Sequence, residues 1–125
     1  MKMEPVESGY STVITAYGNG GFTVAGKRRE GSVLLLPESI ADWSVTAFAD
    51  ATPESLSEIL ERSGEIEILI VGTGSQPALA PVHLRERFKQ NGIVLEAMAT
   101  GPACRTYNVL LAEHRLVAAA LIAVE

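Results

Sequence analysis

The chain has 125 residues, of which 47% are hydrophobic and 20% are charged, and its formal net charge is -5. This composition fits one folded domain spanning residues 1–125 and excludes a disordered chain. The acidic balance argues against a nucleic-acid partner, because phosphate binding needs clustered Lys and Arg. The single cysteine, Cys104, excludes an intramolecular disulfide and predicts a reducing compartment.

The amino-terminal stretch, residues 1–11, is polar and is expected to fray. It has neither the apolar core of a signal peptide nor the Arg-rich amphipathic pattern of a transit segment. No apolar run approaches the roughly 20 residues that a membrane-spanning helix needs. We therefore expect a cytoplasmic protein with no membrane span.

The first half of the chain has the pattern of β-hairpins. Two strand-like runs, residues 12–17 and 22–25, flank the turn signal Gly18-Asn19-Gly20-Gly21. We interpret the basic run Lys27-Arg28-Arg29 as a solvated hairpin turn, and an anion-binding role is the alternative. A buried strand is predicted over Gly31–Pro37, and residues 40–45 are predicted to be irregular or extended.

A helix is predicted to begin at Thr52-Pro53, because Thr is a good cap and Pro suits the first helical position. The apolar, β-branched run over residues 66–71 follows and predicts a strand buried on both faces. It ends abruptly at Gly72-Thr73-Gly74-Ser75, and a helix is expected from about Val82 to Gln90.

A second strand, residues 93–98, a helix from Thr100 and a last strand, residues 116–122, complete the chain. The latter half thus has the order β-α-β-α-β, whose crossovers give parallel strands. The predicted fold class is α/β: a single three-layer β/α/β domain with a mixed central sheet, its C-terminal β-α-β-α-β unit preceded by N-terminal β-hairpin strands.

The carboxyl ends of parallel strands share one edge of a sheet, where ligands usually bind. The loops at residues 72–75 and 98–102 should therefore border one cleft that holds an anion or an acidic side chain of a partner. The alternative is that the Thr and Asn side chains merely cap the helix and close the loop. The candidate ligand or partner residues are Gly72, Thr73, Gly74, Ser75, Met98, Thr100, Thr106 and Asn108.

Evidence for catalysis is weak. Cys104 lies near a helix N-terminus, where a thiol pKa can fall, but neither His83 nor His114 is placed by sequence to activate it. A buried, unreactive cysteine is the commoner case. No histidine or cysteine spacing matches a metal site. We therefore predict no catalytic residue, no metal and no cofactor.

Nine short motifs carry a family resemblance. They are Tyr17-Gly18, Gly20-Gly21-Phe22, Gly31-Ser32-Val33-Leu34, Val71-Gly72-Thr73-Gly74, Leu84-Arg85, Gly92-Ile93, Glu96-Ala97-Met98, Thr106-Tyr107-Asn108 and Val117-Ala118-Ala119-Ala120-Leu121. In this order they resemble the pattern of a domain-of-unknown-function family. That family includes the mitochondrial NADH dehydrogenase (ubiquinone) 1 alpha subcomplex assembly factor 3 and an adipogenesis-associated relative. The resemblance implies a compact β/α/β domain and no established catalytic residues.

Two functional hypotheses follow. The first is a non-enzymatic interaction or assembly factor whose partner is another protein, such as a respiratory-complex subunit. Its basis is the resemblance and the lack of a convincing catalytic set. The second is a small-molecule or anion-binding domain, or an enzyme, that uses the cleft between the 72–75 and 98–102 loops.

Overall fold

A computed structural model describes residues 3–5 and 12–125. Residues 1, 2 and 6–11, on which most of the predicted fraying falls, lie outside the described residues. The strands are β1 (Met3–Pro5), β2 (Ile14–Gly18), β3 (Gly21–Val24), β4 (Lys27–Glu30), β5 (Ser32–Leu36), β6 (Ser39–Trp43), β7 (Ile68–Gly72), β8 (Val94–Met98) and β9 (Val117–Leu121). The helices are α1 (Ser57–Glu61), α2 (Val82–Lys89) and α3 (Thr100–Ala112), with single 3-10 turns at Phe48–Asp50, Glu54–Leu56 and Ser63–Glu65.

The main sheet has six strands in the order β1-β6-β5-β9-β7-β8. Pairing is antiparallel from β1 to β9 and parallel from β9 to β8. Strand β9 joins the two halves, with Ala119 opposite Leu35 on one side and Ile70 on the other. A separate antiparallel sheet contains β2, β3 and β4. The predicted mixed α/β fold is confirmed.

Each face of the main sheet carries its own apolar cluster. On one face, Leu69 and Val71 of β7 pack with Leu84 and Phe88 of α2, and this cluster also takes in side chains of α1. On the other face, Ile70 of β7 packs with side chains of α3 and of the small sheet. Because α2 and α3 lie on opposite faces, the chain leaves β7 toward one face of the sheet and β8 toward the other, as at the switch points where α/β proteins bind ligands.

The basic run Lys27-Arg28-Arg29 is not a turn, contrary to the sequence prediction. It forms strand β4, and the turn falls at Ala25 and Gly26, which both have positive φ. The guanidinium of Arg28 donates to the carbonyl oxygens of Gly18 and Asn19 and pairs with Glu30. Arg28 therefore stabilises the turn at Gly18 and Asn19 in the same small sheet.

The segment 40–45, predicted to be irregular or extended, contains strand β6, and Glu38, at φ 60, makes the turn that enters it. One further prediction differs from the structure. The helix expected at Thr52 is a 3-10 turn followed by the five-residue α1. Thr52 nevertheless caps it as predicted, because Ser55 N donates to Thr52 Oγ1 and Thr52 N donates to Ser55 Oγ.

Candidate functional site

The loop after β7 and the start of α3 are held together by backbone and hydroxyl contacts. Thr73 N donates to Met98 O over 2.8 Å, and Thr73 Oγ1 donates to Gln76 O over 2.7 Å. Gly72 allows the close approach, since a Cβ there would lie 2.9 Å from Thr100 Oγ1. The two predicted loops therefore form one connected structure at the carboxyl edge.

A cavity of about 780 Å³ lies beside this structure. Its walls are Tyr17, residues 46–48, residues 73–78, residues 99, 101 and 102, and residues 122–125. The walls mix apolar groups with hydroxyls and exposed backbone, and most of their side chains are small. The structure thus places a concave surface at the edge where the sequence indicated one.

The predicted site residues fall into three groups. Thr73, Gly74 and Ser75 line the cavity. Gly72, Met98 and Thr100 lie behind its wall, where Thr100 is fully buried. Thr106 and Asn108 lie further along α3, outside the lining.

Asn108 has a structural partner. Its Oδ1 accepts from Ile14 N over 2.9 Å, and its Nδ2 donates to Ile14 O over 2.7 Å. The side chain therefore pairs with the backbone of β2 as a neighbouring strand would. This contact ties the small sheet to α3.

Sequence reasoning did not include Tyr17, Phe48 or the segment 122–125 in the site. Tyr17 is 43% exposed, and its hydroxyl lies over the first turn of α3. A Cβ at Gly101 would come within 2.7 Å of that hydroxyl oxygen, so the glycine leaves room for the ring. The sequence predicted Tyr17 as the end of a strand and Gly18 as part of a turn, and nothing in that local pattern places β2 beside α3.

The described lining residues include no His, Cys, Asp, Lys or Arg. Most backbone amides at the start of α3 are also unavailable to a ligand. Thr100 N donates to Gly74 O, Ala103 N donates to Ala99 O, and Pro102 has no amide hydrogen. Three of the first four residues of the helix therefore offer no amide to a ligand.

Cys104 lies in the core and not in the cleft. It is 3% exposed, and burial raises the pKa of its thiol to about 12, although nearby Arg105 acts in the opposite direction. A catalytic thiol needs the opposite shift. Within residues 12–125, no group of three or more His, Cys, Asp and Glu side chains is arranged to hold a metal ion.

Comparison with known proteins identifies the family. Residues 14–122 match the family described as "Protein of unknown function (DUF498/DUF598)". The chain belongs to this family. DUF498/DUF598 relatives include the bovine NADH dehydrogenase [ubiquinone] 1 alpha subcomplex assembly factor 3, which is 39% identical over 116 residues. An uncharacterised protein of Rhodobacter capsulatus is 35% identical over 122 residues and is covered over 93% of its length.

The match covers 93% of this chain but 63% of the bovine protein, so the chain spans less than two thirds of that relative. The zebrafish protein of the same name is 38% identical, with 93% of this chain and 67% of the relative covered. The assembly-factor name therefore belongs to proteins that are longer than the matched region.

Solved structures show the same fold. The crystal structure described as an outer membrane protein from Bartonella henselae is 44% identical, with a TM-score of 0.86 over 94% of this chain and 98% of that one. A Bordetella pertussis protein described as an Mth938-like domain is 29% identical, with a TM-score of 0.82 over 98% and 92% of the two chains. Among the described residues of this chain, no helix has both the length and the apolar character that crossing a membrane requires.

Proposed function

We propose that this protein is a non-enzymatic assembly factor of the cytoplasm that binds a subunit of a respiratory complex through the cleft beside residues 73–78. The names of the bovine and zebrafish relatives support the assembly role. The buried free thiol of Cys104 suits a reducing compartment.

The lining of the cleft is the observation that carries this proposal. A volume of about 780 Å³ accepts several side chains of a protein segment. Phe48, Pro77 and Ile122 supply apolar contact, while Thr46 and Ser75 supply hydroxyls. Apolar contact surrounded by polar groups is typical of protein interfaces.

The lining favours binding over acid–base or nucleophilic chemistry. Tyr17 and Glu125 are the ionisable side chains among its described residues. The cleft also offers few hydrogen-bond donors to a small anion, because at the start of α3 the amides of Thr100 and Ala103 donate to the carbonyl oxygens of Gly74 and Ala99. We therefore favour a protein segment as the occupant over a small anion or a substrate.

The test is a cleft-filling substitution with a matched control. Ala78→Trp places an indole on the exposed wall of the cleft, and Ala112→Trp places the same group on exposed surface at the far end of α3. Each variant would replace the natural gene in the native host, and respiratory complex I would be followed on native gels.

We expect Ala78→Trp to accumulate partly assembled complex, as a deletion of the gene would, and Ala112→Trp to assemble it normally. Both variants must melt within a few degrees of the wild type for the comparison to hold. Normal complex I assembly in the deletion strain would contradict the proposed role. A defect in the deletion strain that Ala78→Trp fully rescues would exclude the cleft.

A further inference from the structure

Two of the three asparagines of this chain precede a glycine, in the pairs Asn19-Gly20 and Asn91-Gly92. In such a pair the glycine nitrogen can attack the side-chain carbonyl carbon of the asparagine, because glycine has no Cβ to hinder the approach. Both asparagines are exposed, so exposure does not distinguish them. The contacts that hold each pair decide which one reacts in the folded protein.

The pair Asn19-Gly20 is held by contacts from distant parts of the chain. Gly20 N, which would be the attacking atom, donates to Val124 O over 2.8 Å. Arg28 Nη2 donates to Asn19 O over 2.9 Å. With a φ of 54, Asn19 also lies in the left-handed region, in the two-residue turn that joins β2 to β3. Attack therefore requires the turn, strand β4 and the segment after β9 to separate.

The hydrogen bonds described for Asn91-Gly92 come from the end of α2. Gly92 N, the attacking atom of this pair, donates to Lys89 O over 2.9 Å. Asn91 N donates to Phe88 O over 2.9 Å. Asn91 Nδ2 donates to Arg87 O, also over 2.9 Å. Each acceptor thus lies in the same helical turn as its donor, and no distant element takes part.

Opening of that one turn releases the pair. Phe88 and Ile93, on either side of it, are 0% and 1% exposed, so the core holds the chain at both ends while residues 89–92 move. Local openings cost much less free energy than the separation of elements that are distant in sequence. A Cβ built at Gly92 would meet no atom within 4 Å, so the space around the pair is open.

We propose that Asn91 is a site of spontaneous deamidation in the folded protein and that the fold protects Asn19 from the same reaction. Gly92 N loses its proton and bonds to Asn91 Cγ, the Cγ–Nδ2 bond breaks, and Nδ2 takes a proton from water and leaves as ammonia. Water then opens the five-membered imide at either carbonyl, which gives aspartate or iso-aspartate. Water is the only co-reactant. The inference is independent of what the cleft beside residues 73–78 binds.

The product weakens the end of α2. A carboxylate at position 91 cannot donate to Arg87 O, and it lies at the helix C-terminus, where negative charge is unfavourable. Arg87 and Lys89, in the last turn, offset part of that charge. Iso-aspartate also adds a methylene group to the backbone between α2 and β8. The reaction therefore alters the connection between this helix and the main sheet.

The experiment incubates the folded wild-type protein at mildly alkaline pH and follows deamidation by trypsin digestion and mass spectrometry. Trypsin places the two pairs in separate peptides, residues 3–27 and 90–105. We expect the 90–105 peptide to deamidate about tenfold faster, because reaction at Asn19 requires additional, distant hydrogen bonds to open. Equal rates, or a faster reaction at Asn19, would overturn the proposal.

The same incubation in guanidinium chloride separates the effect of the fold from that of the local sequence. In the unfolded chain the two Asn-Gly pairs should react at similar rates. If the 90–105 peptide kept its full lead there, the local sequence would be the cause and the proposal would be overturned.

Arg28→Ala tests the protection of Asn19 directly. The variant loses the hydrogen bond to Asn19 O, so deamidation at Asn19 should become about threefold faster while the rate at Asn91 stays the same. An unchanged rate at Asn19 would contradict protection by distant contacts. The wild-type comparison keeps the proposal testable if this variant fails to fold.

Discussion

Thr100 and Gly74 are joined by two hydrogen bonds in opposite directions. Thr100 N donates to Gly74 O over 2.8 Å, and Gly74 N donates to Thr100 Oγ1 over 3.0 Å. The same hydroxyl donates to Ile122 O over 2.7 Å. One buried side chain thus fixes the loop after β7, the start of α3 and the end of β9 relative to each other.

Replacing Thr100 with Val should destabilise the protein. Valine keeps the shape but leaves Gly74 N and Ile122 O without this partner, at a cost of about 3 kcal/mol for two buried polar groups. Thr100→Ser keeps the hydroxyl and should cost about 1 kcal/mol for the lost methyl group. Urea unfolding measures both values. Equal losses for the two variants would show that packing, and not the hydroxyl, stabilises this junction.

Gly74 should resist substitution because of its backbone. Its φ is +109°, a conformation that costs a residue with a side chain about 1–3 kcal/mol. A Cβ there would meet only Ile122 Cγ2, at 3.8 Å, so crowding is not the cause. Gly64→Ala is the control, since its φ lies outside the positive range and nothing lies within 4 Å of the new Cβ. A Gly74→Ala variant as stable as Gly64→Ala would contradict this account.

Replacing a leucine with Asp should have very different consequences for stability at positions 69 and 79. Leu69 is fully buried in β7, and Leu69→Asp places a charge in the core, which should prevent folding. Leu79 is 91% exposed, and Leu79→Asp should change stability by less than about 0.5 kcal/mol. Circular dichroism and melting curves distinguish the outcomes. A soluble Leu69→Asp variant with native melting would mean that the placement of β7 is wrong.

The buried thiol should make the protein less stable at high pH. Burial raises the pKa of Cys104 from 9.0 to about 12, so the folded state holds the proton more tightly than the unfolded state. This contribution to stability is present below pH 9 and is lost as the pH rises toward 12. Burial likewise raises the pKa of Tyr107 from 10.0 to about 12, and its contribution is lost above pH 10.

Thiolate absorbance near pH 10 tests this prediction, because that pH lies between the ordinary and the raised pKa of Cys104. The urea-unfolded protein should show the thiolate, and the folded protein should show almost none. Cys104→Ala provides the baseline for both states. A folded protein with full thiolate absorbance would refute the burial of Cys104 and reopen its candidacy as a nucleophile.

Local sequence patterns were sufficient to predict the C-terminal half of the fold. The β-branched run before Gly72 and the apolar positions Leu84 and Phe88 indicated a buried strand followed by an amphipathic helix, and each lies where expected. The prediction of a turn at Lys27-Arg28-Arg29 was wrong, because it rested on the charge of a segment that forms strand β4, although charged residues such as Lys are depleted in strands. Strand β4 tolerates them because it lies at the edge of the small sheet.

Only part of the candidate site could be predicted from local sequence patterns. The two loops could be paired because parallel strands end at one edge. Tyr17 and Phe48 come from elements that no periodicity connects to that edge, and tertiary packing alone brings them there. Asn108 appeared as a polar residue available to a ligand, and its pairing with Ile14 depends on a contact between positions 94 residues apart.

The position of β9 between β5 and β7 has a consequence for biosynthesis. Until residues 117–121 have left the ribosome, neither the antiparallel half of the sheet nor the parallel half has its central neighbour. The nascent chain therefore presents two open strands, Ser32–Leu36 and Ile68–Gly72, both rich in apolar residues. Such edges attract chaperones and other nascent chains until β9 pairs with both strands.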